Sequence, residues 1–194
     1  KRESEAILHV AFSGKDYDEA VVLNGIRTLV LGVKDKDAVN TRNFPLIVRR
    51  MVRHAQKVKV QTVVCVFSDF LFPNIGTDEP KIARVFARNA GLANYNFNEY
   101  RTVELDHSIK EMIIVGVVAP DVKNAFQKGL TESEEINKMR DMANIPGGDM
   151  SPAILASMIK SNLKKLPVKV TVLGEKEMKK LKMEAILAVG RGSK

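Results

Sequence analysis

The feature that most constrains the fold is an alternation of apolar, β-branched runs with segments of helical periodicity along the first 118 residues. Continuous apolar runs of five to ten residues are typical of strands buried in a sheet. Strands that alternate with helices predict an α/β layered domain with a mostly parallel sheet. The strands are predicted at 5–12, 26–33, 58–67 and 111–118, and the helices at 41–57 and 78–92.

A long helix is predicted next, from Ala119 to Ala143. Gly129 and Thr131 lower the helix propensity of its middle, where the prediction allows a kink or a break. Pro146-Gly147-Gly148 then forms a loop. We therefore predict an N-terminal α/β domain at residues 1–118, a linker helix at 119–144, and a second segment at 145–194.

The second segment reads as helix, strand, helix and strand. Ser151-Pro152 is a strong helix start, because a serine N-cap precedes proline at the first helical position. This segment is too small to make a sheet with both faces covered, so we expect an incomplete domain. Its predicted elements are a helix to Lys165, a strand at 167–173, a short helix at 175–181 and a strand at 185–189.

Charge and cysteine content restrict the classes of partner. The net charge is +8, but residues 160–194 hold ten Lys and Arg against three acids and so carry +7 of it. The near-neutral remainder argues against nucleic acid as a partner, since such binding depends on phosphate neutralisation. No apolar run is long enough to span a membrane. The single cysteine, Cys65, is expected to be a buried strand thiol in a cytoplasmic protein.

No catalytic or metal-binding motif is evident. His9, His54 and His107 are far apart and lack metal-ligand spacing. Gly190-Arg191-Gly192 follows an apolar run, but a strand-ending loop explains it better than a dinucleotide fingerprint. The basic face at 49–57 is interpreted as the solvated side of an amphipathic helix. We assign no catalytic, metal-binding or cofactor-binding residue.

Three motifs nevertheless resemble one known family in the right order. Residues 140–146 read Arg-Asp-Met-Ala-Asn-Ile-Pro and lead into Ser151-Pro152, which resembles the domain junction of the leucyl (cytosol) aminopeptidase family. Upstream, 95–101 is similar to a Tyr-x-Phe-x-x-Tyr-Lys strand of that family, and 182–193 resembles its Ala-Val-Gly-x-Gly-Ser segment. Gly148 and Glu184 depart from the family's usual Asn and Gly. The junction match comprises Arg140, Asp141, Asn144, Pro146, Ser151, Pro152, Leu155 and Ala156.

The resemblance implies a macro-domain-like N-terminal domain followed by the start of a truncated α/β peptidase domain. Intact members are hexamers that remove N-terminal residues from peptides by means of two divalent metals (Zn, Mn or Mg). Their metal ligands come C-terminal to the point where this sequence ends, in a catalytic domain that we expect to be missing. The 194-residue chain is therefore expected to be inactive and to act as a structural or assembly module.

Two other functions stay open from the sequence alone. The N-terminal domain could be a non-catalytic binding module for DNA or an ADP-ribose-like ligand. The chain could also belong to a homologue whose peptidase half has degenerated.

Overall fold

The computed structural model describes residues 4–102, 108–117 and 119–192 of the chain. The chain divides into two compact units, one ending at Asn144 and the other beginning at Ile145. His107 and Val118, which the sequence analysis places in a loop and at a strand end, lie outside the described residues. The first unit contains β1 (Glu5–Phe12), β2 (Tyr17–Leu23), β3 (Ile26–Val33), α1 (Phe44–Lys57), β4 (Thr62–Val66), α2 (Glu79–Ala93), β5 (Glu111–Val115) and α3 (Pro120–Asn144).

The first unit is built on a five-stranded, mostly parallel sheet in the order β2-β3-β1-β4-β5. β1 pairs in parallel with β3 and β4, and β4 pairs in parallel with β5. The α/β class with a mostly parallel sheet, predicted from the alternation of strands and helices, is confirmed. Parallel strands need crossover connections: α1 connects β3 to β4 and α2 connects β4 to β5, whereas β1 and β3 are connected through β2.

The core of this unit is continuous from the sheet to the helices and combines aliphatic side chains with buried phenylalanines such as Phe70 and Phe86. Alternate residues of β1, β3 and β4 point to one buried face, as the period of two in a strand requires. They pack with the apolar stripes of α1 and α2 in a single cluster. Its fully buried members include Leu8, Leu29, Leu31, Val63, Cys65, Val48, Met51, Val52 and Phe86.

Strand β2 was absent from the sequence prediction. It pairs antiparallel with β3 along its whole length and forms the edge of the sheet. Because most of its residues are exposed, it has no apolar face that would produce an alternating pattern. The Asn24-Gly25 dipeptide was the available signal, since both residues adopt the positive φ of a two-residue hairpin turn.

The helices of the first unit follow the sequence prediction closely. Asp78 caps α2 by accepting a hydrogen bond from the Lys81 backbone N–H at 3.0 Å, which confirms the predicted helix start. α1 begins at Phe44, three residues later than expected, because Asn40 and Asn43 hydrogen-bond the local backbone in a turn. α3 continues through Gly129 without a break.

Small residues bring α2 and α3 unusually close. Gly91 faces Ser133, whose hydroxyl donates to the Leu130 carbonyl within α3. A Cβ built at Gly129 would lie 2.9 Å from the Ala87 Cβ and closer still to the Arg84 carbonyl oxygen. Gly129 is thus required by helix contact, and the close approach explains why a weak helix former stands in the middle of α3.

The second unit contains three helices and no strand among its described residues: α4 (Pro152–Leu163), α5 (Glu175–Lys180) and α6 (Glu184–Arg191). Ser151 caps α4 by accepting from the Ile154 N–H at 3.3 Å, as predicted. The expected strand at 167–173 is wrong, since this stretch is irregular and has no strand to pair with in the part of this unit that is described.

The expected strand at 185–189 is also wrong, because this stretch lies in α6. Short apolar runs cannot be assigned to strand or helix by periodicity alone, and Ala185, Leu187 and Ala188 are good helix formers. Gly190 consequently lies in a helix and Gly192 at its C-cap, so the strand-ending loop proposed for the Gly-x-Gly pattern is wrong too. α4 and α5 bury none of their residues, and apolar side chains such as Val172 and Val189 are exposed.

The family-like segment at 95–101 is not a strand either, because it is irregular apart from a turn at 99–100. Within the described residues, no helix combines the length and the apolar character needed to cross a membrane.

We predict that Gly129→Ala destabilises the first unit by about 1–2 kcal/mol. Alanine gains about 1 kcal/mol of helix propensity over glycine, but overpacking an interface costs about 1–3 kcal/mol, and the Arg84 backbone cannot move aside. Urea unfolding followed by circular dichroism measures the change. Gly190→Ala is the matched control, since its Cβ meets nothing within 4 Å, and it should be neutral or slightly stabilising. A stabilised Gly129→Ala variant would contradict the close approach of the two helices.

Candidate functional site

The most developed polar cluster of the first unit lies where the C-terminal ends of α2 and α3 meet. Contacts advance together along both helices, from Gly129 beside Arg84 to Arg140 beside Leu92, so α2 and α3 run in the same direction. The cluster joins Tyr95 to Asn137, Arg140, Asp141 and Asn144. Two of the three sequence motifs, at 95–101 and 140–146, therefore meet in one place.

Arg140 stabilises the end of α2. The last carbonyls of a helix have no partner within it and carry its partial negative charge. Arg140 Nη1 donates to the Leu92 carbonyl at 2.9 Å, and Asn137 Nδ2 donates to the Gly91 carbonyl at 3.2 Å. Arg140 Nη1 also donates to Asn137 Oδ1 at 3.0 Å, which orients the two side chains together. The positive guanidinium stabilises this end of α2 in two ways: it donates a hydrogen bond to a carbonyl, and it opposes the partial negative charge of the helix end.

Tyr95 is held from three sides. Its hydroxyl donates to Asp141 Oδ1 at 2.8 Å and accepts from Asn144 Nδ2 at 2.9 Å. The guanidinium carbon of Arg140 lies 3.9 Å from the centre of the Tyr95 ring, which is a cation–π contact. Partial burial raises the pKa of the Tyr95 hydroxyl, and its bond to the Asp141 carboxylate raises it further. The hydroxyl is therefore a fixed hydrogen-bond donor at neutral pH.

The chemistry of this cluster is structural. Both bonding directions of the Tyr95 hydroxyl are used, Arg140 is engaged by a carbonyl, an amide and a ring, and no nucleophile stands beside a free base. The arrangement fastens the end of α3 to the residue that follows α2. Sequence reasoning found the motifs but not their pairing, since Tyr95 and Asp141 are 46 residues apart.

An apolar groove of about 530 Å³ lies beside this cluster, between β5, α2 and α3. Its walls include Phe86, Ala90, Met112 and Phe126, and Lys110, Glu111 and Lys123 stand at its border. This lining favours apolar contact over acid–base chemistry.

The described histidines and the basic face at 49–57 do not belong to this cluster. His9 is exposed in β1, whereas His54 is buried and its Nε2 lies 2.9 Å from the Glu19 carbonyl oxygen. Arg49 Nε donates to Asn89 Oδ1 at 2.9 Å, and Arg50 Nε lies 3.1 Å from Asp18 Oδ1. Two of the cations at 49–57 are thus engaged within the protein.

Cys65 is fully buried in β4, and burial raises the pKa of its thiol to about 12, which fits the expected inert strand cysteine. Among the residues that the structure describes, no three His, Cys, Asp or Glu side chains lie together as metal ligands would. The described residues therefore do not fit the two divalent metals that the family resemblance implies.

Comparison with known proteins gives two matches of one family in chain order. Residues 4–104 match the cytosol aminopeptidase family, N-terminal domain, and residues 137–194 match the catalytic domain of the same family. A probable cytosol aminopeptidase of Rhizobium etli is 37% identical over 145 residues, which covers 72% of this chain and 28% of that protein. The chain spans about a third of the length of the curated relatives it matches.

Solved structures share the fold at lower identity. A mutant of tomato leucine aminopeptidase superposes with a TM-score of 0.69 at 17% identity, over 88% of this chain and 34% of that chain. The bottromycin maturation enzyme BotP in complex with Mn superposes with a TM-score of 0.63 at 19% identity, over 84% of this chain and 36% of that chain.

We predict that Tyr95→Phe lowers the free energy of unfolding by about 1–2 kcal/mol, because Asp141 and Asn144 each lose a partner. Tyr17→Phe is the matched control, since the Tyr17 hydroxyl has no hydrogen bond within the described residues. Chemical denaturation of the two variants measures the difference. Equal effects would show that the Tyr95 hydroxyl contributes nothing to stability.

We also predict a specific loss of stability in alkali. The folded pKa of Tyr95 is raised, so the stabilisation from its protonated hydroxyl is complete below the unfolded pKa of about 10 and is lost as pH rises through the folded pKa. As pH rises above about 10, the free energy of unfolding should fall more steeply for the native chain than for Tyr95→Phe. Identical slopes would contradict the assigned hydrogen bond to Asp141.

Proposed function

This chain belongs to the cytosol aminopeptidase family, and we propose that it is part of a metal-dependent leucyl aminopeptidase that removes N-terminal residues from peptides. The observation that carries this proposal is the pair of matches at 4–104 and 137–194, to the N-terminal domain and to the catalytic domain of the family in that order. The similar fold of the tomato leucine aminopeptidase mutant is consistent with this proposal.

Within that enzyme we propose a structural and assembly role for this chain. The proposed organisation is an N-terminal domain at 1–118, a linker helix at 119–144, and the first elements of the peptidase domain at 145–194. The use of the Arg140, Asp141 and Asn144 side chains in contacts inside the protein supports a structural role for the junction motif. The exposed apolar side chains of 145–194 support a second domain that further chain completes.

The catalytic apparatus would lie outside this chain. Two divalent metals (Zn, Mn or Mg) are proposed for the intact enzyme, where they would supply Lewis-acid activation of water and carbonyl. The Mn in the BotP complex is consistent with one of these. We propose a cytoplasmic hexamer for the whole enzyme, with a peptide as its substrate.

The test is hydrolysis of a leucyl anilide by the 194-residue chain with Mn or Zn added. We expect no turnover above buffer, because the residues that would hold the metals belong to the rest of the enzyme. A full-length cytosol aminopeptidase such as that of Rhizobium etli is the positive control for the assay. Turnover that copurifies with the chain through several columns would overturn the assignment of the catalytic residues to the missing part.

A further inference from the structure

The five-stranded sheet has helices on one face only, within the part of the chain that is described. α1, α2 and α3 share one buried core with inward residues of the strands, such as Leu8, Leu31 and Val63. The residues between these point to the opposite side, because strand side chains alternate. We call that side the outer face; it comprises the odd-numbered residues of β1, β2 and β5 and the even-numbered residues of β3 and β4.

The order of the strands explains why no helix covers the outer face. α1 connects β3 to β4 and α2 connects β4 to β5, so both crossovers run toward the β5 edge. Right-handed crossovers that run in one direction place their helices on the same face of a sheet. The connection in the other direction, from β1 to β3, passes through β2 and contains no helix. A mostly parallel sheet is normally covered on both faces, and here the described chain supplies one layer.

The middle of the outer face is apolar. Val21, Ile7, Val64 and Ile113 lie in one row across the sheet with Thr28, as the pairing of their strands requires. The row crosses all five strands and is therefore about 19 Å long. None of its four apolar side chains belongs to the core, and Ile113 remains 40% exposed. Exposed apolar patches of this kind are typical of interaction surfaces.

The outer face carries three carboxylates and no Lys or Arg. Glu5, Glu19 and Glu111 are exposed, and none of them forms an ion pair within the described residues. Glu111 also borders the apolar groove at the start of β5, but its alternation with Met112 directs its side chain to the outer face. His9, in the middle of β1, is exposed on the same face. The negative charge of this face is thus not neutralised by an ion pair in the described chain.

The other charged side chains of the sheet point toward the helices. Arg27 is the one Lys or Arg in the five strands, and it donates to the carbonyl of Val58, just after α1, at 2.7 Å. Asp18 alternates with Glu19 and lies 3.1 Å from Arg50 Nε of α1. The ion pairs that join α1 to β2 therefore leave the carboxylates of the outer face unchanged.

The positions of the carboxylates indicate which partner fits. Two copies of the outer face would not complement each other, because both would bring carboxylates and neither would bring Lys or Arg. β1 is the middle strand, and Glu19 on β2 and Glu111 on β5 each lie two strands, about 10 Å, to its sides. A helix is about 10–12 Å across, so one that packs along β1 would cover Ile7 and Val64 and turn its flanks toward the two carboxylates. Lys and Arg on those flanks reach the carboxylates while their methylene stems cover apolar surface.

We propose that the outer face binds an amphipathic helix of a partner protein, with an apolar stripe against β1 and β4 and Lys or Arg on both flanks. The partner helix supplies the second layer that a mostly parallel sheet requires. The proposal rests on the sheet register and on the carboxylates of the outer face, and it is independent of the aminopeptidase assignment.

A pair of synthetic peptides tests the charge and shape of the partner. Each has about 14 residues, roughly 21 Å as a helix, with Leu at helical spacing. One carries Lys on both flanks, and its twin carries Glu at the same positions. Fluorescence anisotropy of the labelled peptides is measured with the full chain at low salt, where screening is weak. We expect the Lys peptide to bind and the Glu peptide not to bind; equal binding, or no binding of the Lys peptide, would overturn the proposal.

Charge reversal locates the binding surface. Glu19→Lys combined with Glu111→Lys should weaken binding of the Lys peptide by about tenfold or more and should create binding of the Glu peptide, since attraction and repulsion are exchanged. Glu99→Lys combined with Glu134→Lys is the matched control, because both residues are exposed, lie outside the sheet and change the net charge equally. An equal loss in the two double variants would show attraction to net charge alone and would overturn the proposal.

The apolar row and the choice of occupant are tested separately. Ile113→Ser removes apolar surface from the row and should weaken binding of the Lys peptide several-fold, whereas Leu46→Ser, exposed on α1, should not. An equal effect of the two would contradict the proposed site. Sedimentation of the native chain with and without the Lys peptide tests a second copy as occupant. Self-association that the peptide displaces would overturn the proposal. If Ile113→Ser does not fold by circular dichroism, the charge reversal decides.

Discussion

The hydrogen bond from Arg140 to the last turn of α2 is the contact on which the arrangement of the first unit depends. It satisfies a carbonyl that the helix cannot satisfy itself, and it places the guanidinium over the Tyr95 ring. Tyr95 then binds Asp141 and Asn144, so the end of α3 is held where α2 ends. The close approach at Gly129 and Gly91 makes this possible, because bulkier residues would separate the two helices.

This arrangement gives a physical reason for a family motif that contains two charged residues. A buried or half-buried polar network stabilises a fold only when every member has a partner. Here Arg140 donates to the end of α2, and Asp141 Oδ1 accepts from the phenol of Tyr95. The side chains of the motif therefore stabilise the packing of α3 against α2.

Prediction from the sequence was most accurate for the strands and helix starts whose local sequence patterns agree with their tertiary contacts. The strands β1, β3 and β4 are apolar because they are central, and Asp78 and Ser151 are caps whose effect is local. It failed where local pattern is weak or ambiguous. β2 is an exposed edge strand paired with β3, and the apolar run at 185–189 forms α6, in which Ala185, Leu187 and Ala188 are good helix formers. The contact between Tyr95 and Asp141 could not be predicted, since neither motif contains a signal for contact with the other.

The most direct test of this account is a double-mutant cycle between Tyr95 and Asp141 in the free energy of unfolding. Tyr95→Phe and Asp141→Ala are measured singly and together by chemical denaturation. If the pair fastens α3 to α2, the effects are non-additive, with a coupling of about 0.5–3 kcal/mol. Additivity to within about 0.3 kcal/mol would mean that the two residues do not interact in solution, and the structural role assigned to the motif would be wrong.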